Sequence, residues 1–175
     1  MRIKPPVISS ILILILGLFT LLLQAPQAFA QSGKLTANGK VGPVLAETKM
    51  VPGDKPGHEV TMVRRMDTLT YSDPLFASGQ ATVIAVTDYV AGNGPHRGYF
   101  AINHPNGDKT FTSYEGATTA TLQPSGSPKV TFEGKWQLTG GTGKFNGITG
   151  GGTYKGGVTS TGPEYELEGQ YTLKQ

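Results

Sequence analysis

Few residues in this chain are of a type and spacing that could do chemistry. Its 175 residues include three histidines, His58, His96 and His104, no cysteine, and a glycine-rich run from Leu138 to Gly157 of the kind that can cradle phosphate. Without cysteine there are no disulfides, thiolate metal sites, cysteine nucleophiles or lipid-modified N-terminal cysteine. A P-loop needs glycine five residues before its Gly-Lys pair and Ser or Thr after it, so that amides wrap the phosphates and a hydroxyl reaches magnesium. Around Gly143-Lys144 those positions hold Leu138 and Phe145. A dinucleotide fingerprint needs Gly-x-Gly-x-x-Gly opening a helix, whereas Gly141-Thr142-Gly143 meets its next glycine only at Gly147 and runs on into β-like sequence. The glycine run therefore reads as a corner between strands.

The histidines are poorly spaced for a metal. His96 and His104 share a strand face, but eight residues of extended chain set them about 26 Å apart. There is no His-x-His pair, so neither a metal site nor a cofactor is expected. His104, beside Asn106-Gly107, reads as a hydrogen-bonded or exposed turn residue because no nucleophile or acid accompanies it. Glu133, Glu168 and the stripe Glu164-Tyr165-Glu166-Leu167-Glu168 read as a solvated outer face. Arg64-Arg65 breaks the pattern of its strand: both faces carry apolar residues, so in a regular strand one arginine points inward. Asp67 shares a face with Arg65, which favours an ion pair; an anionic ligand headgroup is the alternative, and a β-bulge would place both arginines in solvent.

No stretch after the N-terminus has apolar residues at helical spacing over three turns. Short runs of Val, Ile, Thr, Tyr and Phe are cut by Gly, Pro, Asn and Asp, which predicts antiparallel strands over Leu45–Val51, His58–Ser72, Gly79–Val90, Arg97–His104, Lys109–Leu122, Lys129–Leu138, Gly151–Thr159 and Glu164–Leu173. Asn106-Gly107 predicts a hairpin with a tight primed turn, in which both central residues take positive φ. Residues 31–44 are expected as an irregular N-terminal segment, and Val51–Gly57 as a loop. A short repeat relates Phe132-Glu133-Gly134-Lys135-Trp136-Gln137-Leu138 to Leu167-Glu168-Gly169-Gln170-Tyr171-Thr172-Leu173, with Tyr114-Glu115-Gly116 a fainter third copy. Alternation puts Phe132, Gly134, Trp136 and Leu138 on one, interior, face. Glycine at the same inward position in each copy suits a small closed barrel, where a strand bends or a neighbouring ring fills the space. The candidate cavity residues are Phe132, Trp136, Tyr171 and Tyr114, with Arg64 and Arg65.

Residues 1–30 are built for export. Arg2 and Lys4 precede an apolar run, Val7 to Leu23, and Ala28-Phe29-Ala30 is a small-x-small cleavage site. The remaining chain of roughly 145 residues suits one domain. Removing Arg2 and Lys4 from 15 basic side chains leaves 13 against 12 acidic ones, no excess with which to hold nucleic acid.

Thr139-Gly140-Gly141-Thr142-Gly143-Lys144-Phe145-Asn146-Gly147-Ile148-Thr149-Gly150 resembles the T-G-G-[ST]-G-x-F-x-G-x-x-G segment of allene oxide cyclases and, more loosely, dirigent proteins. The resemblance implies an all-β, calycin-like fold: a small closed antiparallel barrel of eight strands with a central cavity, in which Gly140, Gly141, Gly143, Phe145, Gly147 and Gly150 are structural. It is strongest over Lys129–Tyr154, and secreted bacterial chains of this kind mostly have no assigned activity. Plant cyclases of the family act on an apolar epoxide with an early-strand carboxylate and a cysteine. This chain has no cysteine, and Glu47 and Glu59 lie outside any matching stretch, so no catalytic residue carries over.

Three readings follow. The leading one is a secreted or periplasmic barrel that binds a small apolar or amphipathic molecule in its cavity. The second is a cyclase or isomerase that confines a reactive intermediate, and the third a structural or self-associating barrel with a filled interior. In Ala81–Thr87 the small set Ala81, Val83 and Ala85 suits the interior, leaving Ile84 and Val86 outside to be covered by residues 31–44 or by a second subunit; the plant relatives are trimers. No membrane contact is expected once the leader is gone. N-terminal sequencing of the exported protein is expected to begin at Gln31; a product that retains Leu21–Leu23 overturns the leader assignment.

Overall fold

Strand-forming residues that alternate with polar ones dictate the architecture. The structure, a computed structural model, describes residues 30–124 and 126–174, so the leader assigned to residues 1–30 lies outside the described residues except for Ala30. Eight strands follow in order: β1 (Ala30–Met50), β2 (His58–Tyr71), β3 (Ser78–Val90), β4 (Gly94–Asn103), β5 (Lys109–Leu122), β6 (Pro128–Gly141), β7 (Thr149–Thr159) and β8 (Gly162–Lys174). Each pairs antiparallel with the next, and β8 returns to β1, closing the barrel.

The first strand corrects the expectation of an irregular segment over residues 31–44 and of a strand beginning only at Leu45. β1 runs unbroken through both, pairing with β8 from Ala30↔Lys174 to Lys40↔Glu164 and with β2 from Ala37↔Tyr71 to Met50↔Val60. The glycines that read as loop are packing sites. A β-carbon at Gly39 would stand 2.1 Å from the Tyr165 ring, and one at Gly33 2.8 Å from that of Tyr171. A bulge between Val41 and Val44 accommodates Pro43, which has no N–H to give to a ladder.

The same pairing of ring and glycine recurs around the wall. Trp136 lies across Gly152 and Gly169, its neighbours along one row of β6, β7 and β8; Phe132 faces Gly156, and Tyr114 faces Gly98. Inward glycines in the repeated segments thus receive a neighbour's ring.

One end of the barrel is plugged. The chain between β6 and β7 turns through a short 3-10 segment, Gly143–Phe145, and delivers Phe145 into the interior, stacked on Phe76 with ring centroids 5.3 Å apart. His104 packs against Phe145, its Nδ1 2.7 Å from the Phe76 carbonyl and its Nε2 3.0 Å from the Thr110 hydroxyl. The glycine run is a strand-to-strand corner that carries a stopper. The Asn106-Gly107 hairpin joins β4 to β5, but not as a primed turn: only Gly107 has positive φ (86°). Pro105 explains the difference, because its ring fixes a negative φ at the second turn position, and the Gly107 N–H closes the turn onto the His104 carbonyl at 2.9 Å.

Outside, the two sides of the barrel differ. From β4 to β8 opposite charges face one another across strands, Glu115 between Arg97 and Lys135, and Lys155 between Glu133 and Glu166. Across β2, β3 and β4 the outward residues include Met62, Ile84 and Tyr99, exposed by 52%, 46% and 64%. Residues 31–44 cannot cover them, being committed to the barrel wall.

Gly143 has φ of 54°, and a β-carbon there would stand 1.8 Å from Asp108 Oδ1. Gly143→Val is therefore expected to lower stability by roughly 1–3 kcal/mol in urea melts, through left-handed strain and displacement of the Asp108 carboxylate that receives the Lys144 N–H. An unchanged midpoint contradicts a rigid corner.

Candidate functional site

Rings that reach over glycines of neighbouring strands leave part of the barrel interior open. A cavity of about 210 Å³ runs from the Phe76 plug to half-buried Val41, Thr87, Tyr89 and Pro163 at the opposite end. Its wall is largely apolar, with Leu69, Phe100, Ile102, Phe132, Trp136 and Leu138 prominent. The Trp136 ring N–H is satisfied by the Thr153 carbonyl at 3.0 Å, so the indole offers the cavity only its apolar surface.

Besides the hydroxyls of Tyr71, Thr87, Thr110, Thr112 and Tyr114, two connected polar groups interrupt that surface. The first is built on β2. Arg65 donates through Nε to Asp67 Oδ1 (2.9 Å) and through an Nη to Asp67 Oδ2 (3.2 Å). Asp67 also accepts from the Tyr165 hydroxyl (3.1 Å) and from the Gly42 N–H (3.3 Å), which the β1 bulge turns inward. Burial works against the Arg65 charge, but the Asp67 hydrogen bonds and charge outweigh it and raise its pKa. The carboxylate beneath matches the guanidinium, so this part of the wall is polar without net charge.

The second group spans four strands. His96 on β4, Gly116 on β5, Gly134 on β6 and Tyr154 on β7 stand in one row. Tyr154 reaches across both glycines, and its hydroxyl lies 2.5 Å from His96 Nε2. His96 Nδ1 lies 3.1 Å from the Thr118 hydroxyl, which is 2.6 Å from that of Tyr89. Burial foremost, and then the Arg65 charge, hold the His96 imidazole below its ordinary value and so neutral. Burial likewise raises Tyr154 and, to about 12, Tyr114, so both phenols keep their protons.

Of the residues singled out in the sequence, Phe132, Trp136, Tyr114 and Arg65 line this cavity. Arg64 does not: it is exposed on the outer face beside Ile84, which corrects its place among the cavity residues. Strand alternation decides between the two arginines, because Asp67 and Leu69 are buried and Arg65 shares their face. Tyr171 is also corrected. It points inward but lies beneath the plug, edge-on to Phe76, with its hydroxyl donating to Asp73 at 2.8 Å. His58 is outside the cavity, bridging Asp54 and Asp88. His96, Thr118, Tyr89 and Tyr154 were missed. The one available sign was the alternation of His96 with Gly98, Phe100 and Ile102 on an inward face, and of Tyr154 with Gly152 and Gly156.

Solved structures similar to the chain include two dirigent proteins. The pterocarpan synthase dirigent protein GePTS1 aligns with a TM-score of 0.48 and 16% identity, over 83% of this chain and 87% of its own. The pterocarpan synthase dirigent protein PsPTS1 aligns with a TM-score of 0.46 and 16% identity, over 83% of this chain and 96% of its own. The likeness is one of fold. It assigns no role to any residue here. No family model matches the chain, and no curated protein matches it.

His96 should leave a mark on the pH dependence of stability. Its folded pKa lies below the ordinary 6.5, so between the two values the unfolded chain holds a proton that the folded one lacks. Its contribution is complete above about pH 6.5 and is lost as pH falls through that window. His104, lowered by burial, acts in the same direction; His58, raised by its bonds to Asp54 and Asp88, acts in the opposite one. Urea midpoints of the wild type are expected to fall from about pH 7 to about pH 5, and less steeply for His96→Gln. Parallel slopes overturn the assignment of the effect to His96.

Proposed function

We propose that the protein binds one compact, neutral, mainly apolar molecule inside the barrel. The observation that carries this reading is the 210 Å³ cavity, which an interior packed solid would lack. A cavity of about 150 Å³ accommodates benzene, so this volume suits a molecule of roughly eight to twelve non-hydrogen atoms. Neutrality follows from the wall: Asp67 matches Arg65 and His96 is uncharged, so a ligand carboxylate or ammonium would lose its hydration without gaining a free counter-charge.

As part of the same reading, the chain is an exported, secreted or periplasmic barrel of the kind that resembles allene oxide cyclases and dirigent proteins through Thr139–Gly150. Among the described residues β1 runs from Ala30, so cleavage after that residue leaves the described barrel from Gln31 onward whole. We assign the outer face of β2–β4 to self-association. Ile84 sits between Arg64 and Tyr99 on adjacent strands, and no segment among the described residues covers it. Ile84→Lys should convert an oligomer into a monomer with unchanged β-type circular dichroism. A wild type that is monomeric by light scattering at high micromolar concentration overturns this part.

The binding reading is tested by native mass spectrometry of the purified protein, denaturing extraction of any bound molecule, and calorimetric titration with indene, a bicyclic hydrocarbon of suitable size. Ala85, buried and lining the cavity, offers a control: Ala85→Leu fills the space and is expected to weaken indene binding by at least about tenfold while the barrel remains folded. Absence of indene binding to the wild type, or equal binding by the variant, overturns it.

A further inference from the structure

The row His96–Gly116–Gly134–Tyr154 is an unusual piece of wall. A β-carbon at Gly116 or Gly134 would stand 2.4 or 2.5 Å from the Tyr154 hydroxyl, so two strands forgo a side chain where this one hydroxyl is seated. His96, Thr118 and Tyr154 are each 8% exposed, and together with Tyr89 all of them line the cavity. The ion pair on β2 already has its own partners, and the second chain of groups ends in a hydroxyl that its single bond to His96 leaves half used.

We propose that the Tyr154 hydroxyl is a two-way hydrogen-bonding point for the cavity ligand, and that the chain Tyr89–Thr118–His96–Tyr154 sets whether it donates or accepts. The ligand class is then a neutral ring compound carrying one hydroxyl or one carbonyl oxygen. This rests on the cavity-binding reading above and narrows it.

The proton count makes the switch possible. Each hydroxyl carries one proton and a neutral imidazole carries one; His96 Nδ1 faces the hydroxyls of Thr118 at 3.1 Å and of Tyr89 at 3.4 Å, so both imidazole tautomers fit the same heavy-atom positions, with two principal arrangements along the chain. In the first, Tyr89 donates to Thr118, Thr118 donates to His96 Nδ1, and the Nε2–H donates to the Tyr154 oxygen. The Tyr154 O–H is then free to donate to a ligand carbonyl. In the second, Tyr154 donates to Nε2, the Nδ1–H donates to Thr118, and Thr118 donates to Tyr89. Tyr154 then presents a lone pair to a ligand hydroxyl. Neither arrangement creates charge, and burial of His96 disfavours the imidazolium that would block the exchange by donating from both nitrogens.

Three bicyclic probes of similar size separate the possibilities in calorimetric titrations of the intact protein: indene, with no polar group; indole, which only donates; and indanone, which only accepts. The wild type is expected to bind indole and indanone each about tenfold more tightly than indene. Tyr154→Phe should bring both down to the level of indene. Tyr89→Phe, a change at the half-buried outer end, should act unequally: Thr118, having lost its acceptor, turns its proton to His96 Nδ1 and fixes Tyr154 as donor. Indanone then keeps its advantage and indole loses it. Should Tyr154→Phe fail to fold, the unequal response to Tyr89→Phe still decides. Equal binding of all three probes by the wild type, advantages that survive Tyr154→Phe, or an equal response of both ligands to Tyr89→Phe each overturn the switch while leaving cavity binding intact. Failure of every probe to bind overturns the cavity reading and this inference together.

Discussion

The barrel depends on rings lying on glycines. An eight-stranded barrel is barely wide enough to hold its own inward side chains, and large residues pointing straight at the axis would fill it. Here Trp136, Phe132, Tyr114, Tyr154 and Tyr165 lie along the wall instead, each over a glycine on a neighbouring strand. Every pair has two effects: it supplies the packing that a glycine in a strand lacks, and it keeps the ring off the axis. The cavity is thus a product of cross-strand register, since sliding one strand past its neighbour by a single position would set rings against side chains rather than against empty α-carbons.

Register also explains how much the sequence disclosed. The strands from β2 to β8 were legible because their β-branched and aromatic residues alternate between Gly, Pro and Asn punctuation. The corner at Gly143 was legible because its glycines fit no phosphate motif and resemble a known barrel segment. β1 was not. Gly33, Gly39 and Gly42 made it look like loop, and their partners Tyr171, Tyr165 and the Met66 carbonyl are far away in the chain. The hairpin at Asn106-Gly107 was placed correctly, but its turn type was decided by Pro105.

The interior shows the same division between local and distant information. That Asp67 shares a face with Arg65 and could pair with it was readable from the strand itself; which face turns inward was not, because both carry apolar residues. Alternation places Tyr171 on the inward face, but its depth is set by the Phe76 plug, which comes from a loop whose course no periodicity describes. The hydrogen-bonded set of His96, Thr118, Tyr89 and Tyr154 draws on four strands, and only three-dimensional pairing brings its members together. A chain with no metal-ligand spacing and no nucleophile motif can therefore still assemble a connected polar site, built of side chains that individually look like core residues.

The pairing of Ala30 with Lys174 bears on how the molecule comes into being. Seven of the eight strand contacts join neighbours in sequence and can form as hairpins, each closing a short loop. The eighth joins the first strand to the last and gains nothing until β8 is complete, so contact order is raised by a single seam. Until that seam closes, the inward edges of β1 and β8 are unpaired templates for any other strand. The slow event in folding should be this last closure, and the interval before it the time at which the chain is most exposed to pairing with a second copy of itself.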